Sequence, residues 1–126
     1  MLEAIASVVI SLSQQKLFVY NNQDQLIYAA PVSTGKASTP TPVGSFEIGH
    51  KYPRTDLVGD DYRINLPYVQ CLVGEGINPY RYCLHPTPES EERLGTPGSH
   101  GCIRTSLATA RWLFLRTSVS TPVFIQ

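Results

Sequence analysis

Hydrophobic and polar positions alternate over much of the chain, the period of strands rather than helices. From Ser7 to Ser13, Val8, Ile10 and Leu12 alternate with Ser11 and Ser13. Lys16–Tyr20 reads as a second strand, Asn21–Gln25 as a turn, and Gln25–Val32 as the returning partner of a hairpin. Ser33-Thr34-Gly35-Lys36 opens a polar loop that runs through Thr39-Pro40-Thr41-Pro42-Val43-Gly44. Pro42 and Gly44 suit a tight turn into the strand Ser45–Ile48. From Gly49 to Pro67 the pattern breaks down, and a long loop with short strand pieces is expected. Tyr68–Val73 and Tyr80–Leu84 read as strands separated by the turn Gly74-Glu75-Gly76. Pro86–Gly98 is too rich in proline and glycine to be anything but a loop, and it is long enough to suspect function. Thr105 or Ser106 can cap a helix reaching about Arg116, with Leu107, Ala110, Leu113 and Phe114 on one face. Thr121–Ile125 closes the chain as a strand. The expected fold is mostly β, an antiparallel sandwich or partial barrel carrying one main helix.

Composition supports that balance: Val, Ile and Thr number 28 against seven alanines. The 126 residues suit a single domain over 1–126. Hydrophobic residues at 42% and charged residues at 16% exclude a disordered chain. No apolar run approaches the roughly 20 residues of a membrane span. Ten basic residues balance ten acidic ones, which argues against nucleic-acid binding by phosphate neutralisation. The apolar start Met1–Ile10 lacks a positive flank and carries Glu3, so it reads as the approach to a strand and not as a signal peptide. Three cysteines, Cys71, Cys83 and Cys102, are too few and too odd in number for a disulfide scaffold.

The chemistry concentrates in Ser99-His100-Gly101-Cys102-Ile103-Arg104, between a glycine–proline loop and the expected helix start. A cysteine there can use the positive end of a helix dipole to favour its thiolate. Gly101 lets backbone approach a substrate closely, and amides near Gly101 and Cys102 can receive an oxyanion. The nucleophile needs a base, and His85, on or just after the strand Tyr80–Leu84, is the candidate.

These residues resemble the L,D-transpeptidase catalytic domain, also called the YkuD domain: an upstream histidine, a loop, then Ser/Thr-His-Gly-Cys and a short polar tail. Gln15–Tyr20, Pro31–Gly35, Thr41–Phe46 and Thr121–Ile125 are similar to the family in order and spacing, so the likeness spans nearly the whole chain. The resemblance implies a cysteine acyl-transferase acting on peptidoglycan stem tetrapeptides. Cys102 is then the nucleophile and His85 the general base and acid. The backbone carbonyl of Pro86 orients the imidazole, and Arg104 holds the loop or meets a substrate carboxylate. D-Ala leaves, a thioester remains, and a side-chain amine of a second stem forms a cross-link between third residues. Water as acceptor gives an L,D-carboxypeptidase instead. No metal or organic cofactor is implied, and a monomer is expected. The substrate places the protein in the cell envelope, with an export segment absent from this chain; a cytoplasmic enzyme trimming recycled peptides is the alternative.

Blander readings stand beside these. Ser99 is equally a turn residue or a hydrogen bonder behind the nucleophile. His100 reads as structural, bonded to loop backbone. Cys71 and Cys83 are core residues, or partners in a disulfide that leaves Cys102 free. Tyr52, Tyr62, Tyr68, Tyr80 and Tyr82 line a cleft or pack on alternate faces, and Glu89, Glu91 and Glu92 form a solvated face. Cys83-x-His85 with His100-x-Cys102 can be read as four metal ligands, though at spacings shorter than usual. A non-catalytic wall-binding module with the same fold is a third class; preferential labelling of Cys102 by a thiol reagent would set the enzyme apart from it.

Overall fold

The computed structural model describes residues 5–126; the reading of Met1–Ala4 as an approach to a strand lies outside the described residues. The elements are β1 (Ser7–Ser11), β2 (Lys16–Tyr20), β3 (Leu26–Pro31), β4 (Gly44–Val58), β5 (Arg63–Gly74), β6 (Cys83–Pro86), β7 (Ile103–Thr105), α1 (Leu107–Arg116) and β8 (Pro122–Ile125). They form one open mixed sheet of eight strands in the order β3-β2-β1-β8-β4-β5-β6-β7. The pairs β1–β8 and β6–β7 are parallel and the others antiparallel. The fold is therefore mostly β with one helix. No helix among the described residues is long and apolar enough to cross a membrane.

Local chemistry explains the first hairpin. Asn21 turns the chain by accepting the N–H groups of Gln23 and Gln25 on its side-chain oxygen, both at 2.9 Å. The expected loop from Gly49 to Pro67 is instead a long hairpin. β4 and β5 pair from Phe46 opposite Gly74 out to Val58 opposite Arg63. The turn closes with the Gly59 N–H on the Tyr62 carbonyl at 2.9 Å. Pro53 and Pro67 disguise it in the sequence, and both are tolerated because the outer half of the hairpin has no further strand beside it. β8 meets β4 only over Gly44–Glu47, and β6 meets β5 only at Gln70 and Cys71. From Tyr52 outward the hairpin is a two-stranded arm.

One sheet face carries the main core, which includes Ile10, Leu17, Ile48, Leu72, Leu84 and Ile103. α1 packs there through Thr109, Ala110 and Leu113. Ser106, and not Thr105, is the cap, accepting the Thr109 N–H at 3.0 Å. The buried stripe also differs from the expected one: Leu107 is half exposed, and Thr109 goes inward because its hydroxyl meets the Tyr28 hydroxyl at 2.8 Å. Tyr28 also stacks on Trp112, with centroids 4.1 Å apart. At the other end of the helix, the Lys51 ammonium donates to the carbonyls of Phe114 and Thr117, groups that a helix C-terminus leaves open. The opposite sheet face has a smaller cluster of Leu66, Val69, Cys71 and Cys83, against which Cys102 packs. Cys71 and Cys83 form a disulfide, leaving Cys102 as the free cysteine.

Candidate active site

β6 and β7 run side by side with Leu84 opposite Ile103 and His85 opposite Arg104. Leu84 and Ile103 point into the main core. Side chains alternate along a strand, so Cys83, His85, Cys102 and Arg104 share the other face. His85 and Cys102 line one cavity of about 320 Å³, together with Ser99, His100 and Arg104. The tertiary structure thus brings the expected nucleophile and base together across two short parallel strands.

His85 is buried, and its Nδ1 lies 2.7 Å from the Pro86 carbonyl oxygen. A carbonyl can only accept, so Nδ1 carries the proton and Nε2 keeps a lone pair. Burial pushes the imidazole down to about 4, reinforced by the Arg104 guanidinium and opposed by the Pro86 bond. Cys102 Sγ receives the Cys83 N–H at 3.4 Å and faces the Arg81 carbonyl at 3.9 Å. Burial pushes this thiol up, against the pull of the Cys83 N–H and the guanidinium groups of Arg81 and Arg104. The resting pair near neutral pH is therefore a thiol beside a neutral imidazole.

The helix dipole is not what acts on Cys102. A complete strand, β7, and the cap Ser106 separate the thiol from α1, and the dipole fades within the first turn. The Leu107 N–H is already bonded to the Glu91 carboxylate at 3.0 Å. The positive environment comes instead from Arg81, Arg104 and one backbone amide.

The backbone and surroundings of Gly101 give a further reason for glycine there. Its φ is +126°, and a Cβ there would lie 2.8 Å from the Tyr82 ring. Its N–H is also committed, donating to Ser99 Oγ at 3.1 Å. Ser99 Oγ in turn donates to the Cys102 carbonyl at 2.5 Å. Ser99 therefore ties the Gly101 N–H and the Cys102 carbonyl from a buried position. Ser99→Ala is expected to cost about 1–3 kcal/mol, the usual penalty for stranding buried polar groups, read by urea unfolding. A variant as stable as the parent would show that the hydroxyl is dispensable.

Two further expectations change. The His100 ring stacks on Tyr62 at the arm's turn, with centroids 5.5 Å apart, and makes no hydrogen bond to loop backbone among the described residues. Glu89 and Glu91 are not simply a solvated face. Glu89 pairs with Arg104 at 3.5 Å and Arg93 at 3.4 Å, and Glu91 holds the helix start. The metal reading fails because the Cys83 sulfur is already bonded to Cys71. Among the described residues no three His, Cys, Asp or Glu side chains gather to hold an ion.

A second cavity of about 720 Å³ opens on Cys102, and three of the expected cleft tyrosines, Tyr52, Tyr62 and Tyr80, line it. Arg81 and the arm residues Asp56, Asp60 and Asp61, which also line it, escaped the sequence reading. Tyr68 instead packs on Phe114, and Tyr82 lies under the Arg81 guanidinium. The signal for the arm was Gly59-Asp60-Asp61, a hairpin-turn tripeptide between two stretches of partial alternation. The polar loop after β3 braces the Cys102 loop from below. Lys36 N–H and Thr39 Oγ1 donate to the Ser99 carbonyl, Thr41 Oγ1 donates to the Gly101 carbonyl at 2.7 Å, and Ser33 and Arg104 exchange two backbone bonds of 2.9 Å.

Known proteins share both this sequence pattern and this architecture. A model of the L,D-transpeptidase catalytic domain family matches residues 6–125. The chain is 30% identical over 107 residues to probable L,D-transpeptidase 3 of Mycobacterium tuberculosis, covering 76% of this chain and 38% of that protein. It is 29% identical over 118 residues to L,D-transpeptidase 1 of the same organism, covering 84% and 45%. A solved L,D-transpeptidase structure in complex with imipenem superposes with a TM-score of 0.84 at 27% identity, over 97% of this chain and 59% of that one. This chain thus spans about two fifths of the curated relatives' length. On the family match, the chain belongs to the L,D-transpeptidase catalytic domain family.

Proposed function

We propose that the protein is a cysteine acyl-transferase of peptidoglycan stem tetrapeptides. The observation that carries this reading is one buried imidazole, with Nδ1 held by the Pro86 carbonyl, sharing a cavity with one free thiol. His85 Nε2 takes the Cys102 proton as Sγ attacks the carbonyl that precedes the terminal D-Ala. The Cys102 amide and the Arg81 and Arg104 charges favour the oxyanion. As the tetrahedral intermediate collapses, the imidazolium returns its proton to the D-Ala nitrogen, which leaves as the free amino acid. The Cys102 thioester then meets the side-chain amine of the third residue of a second stem. His85 takes the amine proton, and the thiolate leaves. Two cavities meeting at Cys102 suit this two-substrate sequence, one for each stem. The site belongs in the oxidising cell envelope, where the Cys71–Cys83 bridge forms readily.

Mass spectrometry of the products from a purified disaccharide-tetrapeptide tests the reading. Cross-linked dimers lacking one D-Ala are expected. Loss of D-Ala without dimers would make water the acceptor and the protein a carboxypeptidase. An untouched substrate would overturn the assignment.

A further inference from the structure

The nucleophile sits beside a disulfide for which the acyl-transfer chemistry has no use. β6 is only four residues long and meets β5 at two register positions, Gln70–Leu84 and Cys71–Cys83. One of those two positions is the disulfide itself. β7, three residues long, sits at the sheet edge and takes its strand pairing from β6. The imidazole is carried on this thin strip of sheet and the thiol lies against it, and the bridge is the covalent link between the strip and the long strand β5, next to the Leu72 N–H bond to the Tyr82 carbonyl. The second observation is a contact. Cys83, half of the bridge, donates its own N–H to Cys102 Sγ at 3.4 Å, and His85 follows two residues later. Both bridged cysteines are buried, in the same apolar cluster that Cys102 packs against.

We propose that the Cys71–Cys83 disulfide is a positioning element for the nucleophile: it holds the Cys83 amide on the Cys102 sulfur and β6 in register, so the reactivity of Cys102 depends on the bridge being closed. The inference rests on the reading of Cys102 as the reacting thiol. Its physical basis is that an N–H aimed at sulfur favours the anion over the thiol and so opposes the effect of burial. Opening the bridge frees β6 to drift from β5, lengthens that bond and leaves burial opposed by the Arg81 and Arg104 charges alone. The consequence is an enzyme that stays slow in a reducing compartment and becomes fast once the bridge has formed.

The test is the pH dependence of Cys102 alkylation by iodoacetamide, followed by peptide mass spectrometry, in the oxidised chain, in Cys71→Ser/Cys83→Ser and in the chain reduced with a phosphine. This readout needs no substrate. The oxidised chain failing to release D-Ala would therefore strike the functional reading and leave this comparison intact. The expected result is a shift of the alkylation profile to higher pH when the bridge is open, with a fall of about tenfold at neutral pH. D-Ala release should fall in kcat with KM little changed, and reoxidation of the reduced chain should restore both. A serine variant or reduced chain with native circular dichroism and an unshifted profile would overturn the proposal. Global unfolding of both would assign the bridge to fold stability alone and overturn it equally.

Discussion

Cys102→Ala is expected to release no D-alanine from a tetrapeptide stem above the uncatalysed background, while unfolding at the same urea concentration as the parent chain. The folded state loses little because Cys102 is only partly buried and packs at the margin of the smaller cluster. The chemistry loses everything because no other free cysteine exists among the described residues. Cys102→Ser sharpens the point. The hydroxyl fits the same space and can receive the same Cys83 N–H, yet it gives up its proton far less readily and is a weaker nucleophile. Turnover should fall by at least about a thousandfold. Burial already raises the barrier to ionisation at this position, so an oxygen there is penalised twice. D-Ala release retained in the alanine variant, measured by coupled amino-acid oxidation, would refute the assignment. Near-parent rates in the serine variant would mean that sulfur is not the reacting atom.

His85→Ala is expected to lower turnover by at least about a hundredfold, the usual cost of removing a general base. The resting thiol is protonated, so no pre-formed anion remains to attack without the imidazole. A stability measurement reads the same residue independently. The imidazole binds its proton near 6.5 when unfolded and only near 4 when folded. Above pH 6.5 both states hold it neutral and it contributes no pH dependence. Between 6.5 and 4 the unfolded chain takes up a proton that the folded chain refuses, so stability falls with acid. The full window corresponds to about 3 kcal/mol. His85→Gln keeps a donor for the Pro86 carbonyl and removes the titration. The stability advantage of the parent over this variant should therefore shrink as pH drops through that window, measured by urea unfolding at pH 7, 5.5 and 4.5. Parallel curves would show that His85 is not buried as a neutral base.

Much of the architecture was legible where one sheet face is wet and the other dry. β2 follows from Lys16–Tyr20 and α1 from Ser106 onward because alternation and capping are local properties of the chain. The outer hairpin was not legible. Its arm has no broad core to alternate against, and Pro53 and Pro67 sit inside strands that lack an outer neighbour. The glutamates of the loop after β6 were misread for a related reason. Their partners, Arg104 and the Leu107 amide, lie 15 and 16 positions away from Glu89 and Glu91, and composition carries no trace of such pairings.

The sequence by itself determined which atoms are available for chemistry: one six-residue loop with a thiol, an upstream imidazole, and a carbonyl next to that imidazole. Those follow from residue identity and near-neighbour order, which survive in any conformation. Only the tertiary structure decided that Cys71 pairs with Cys83, that the positive field on the thiol comes from two arginines and an amide, and that the arm reaches His100 through Tyr62. Each of these depends on which strands become neighbours. Strand order is set by burying one continuous core, and a linear pattern of residues does not encode it.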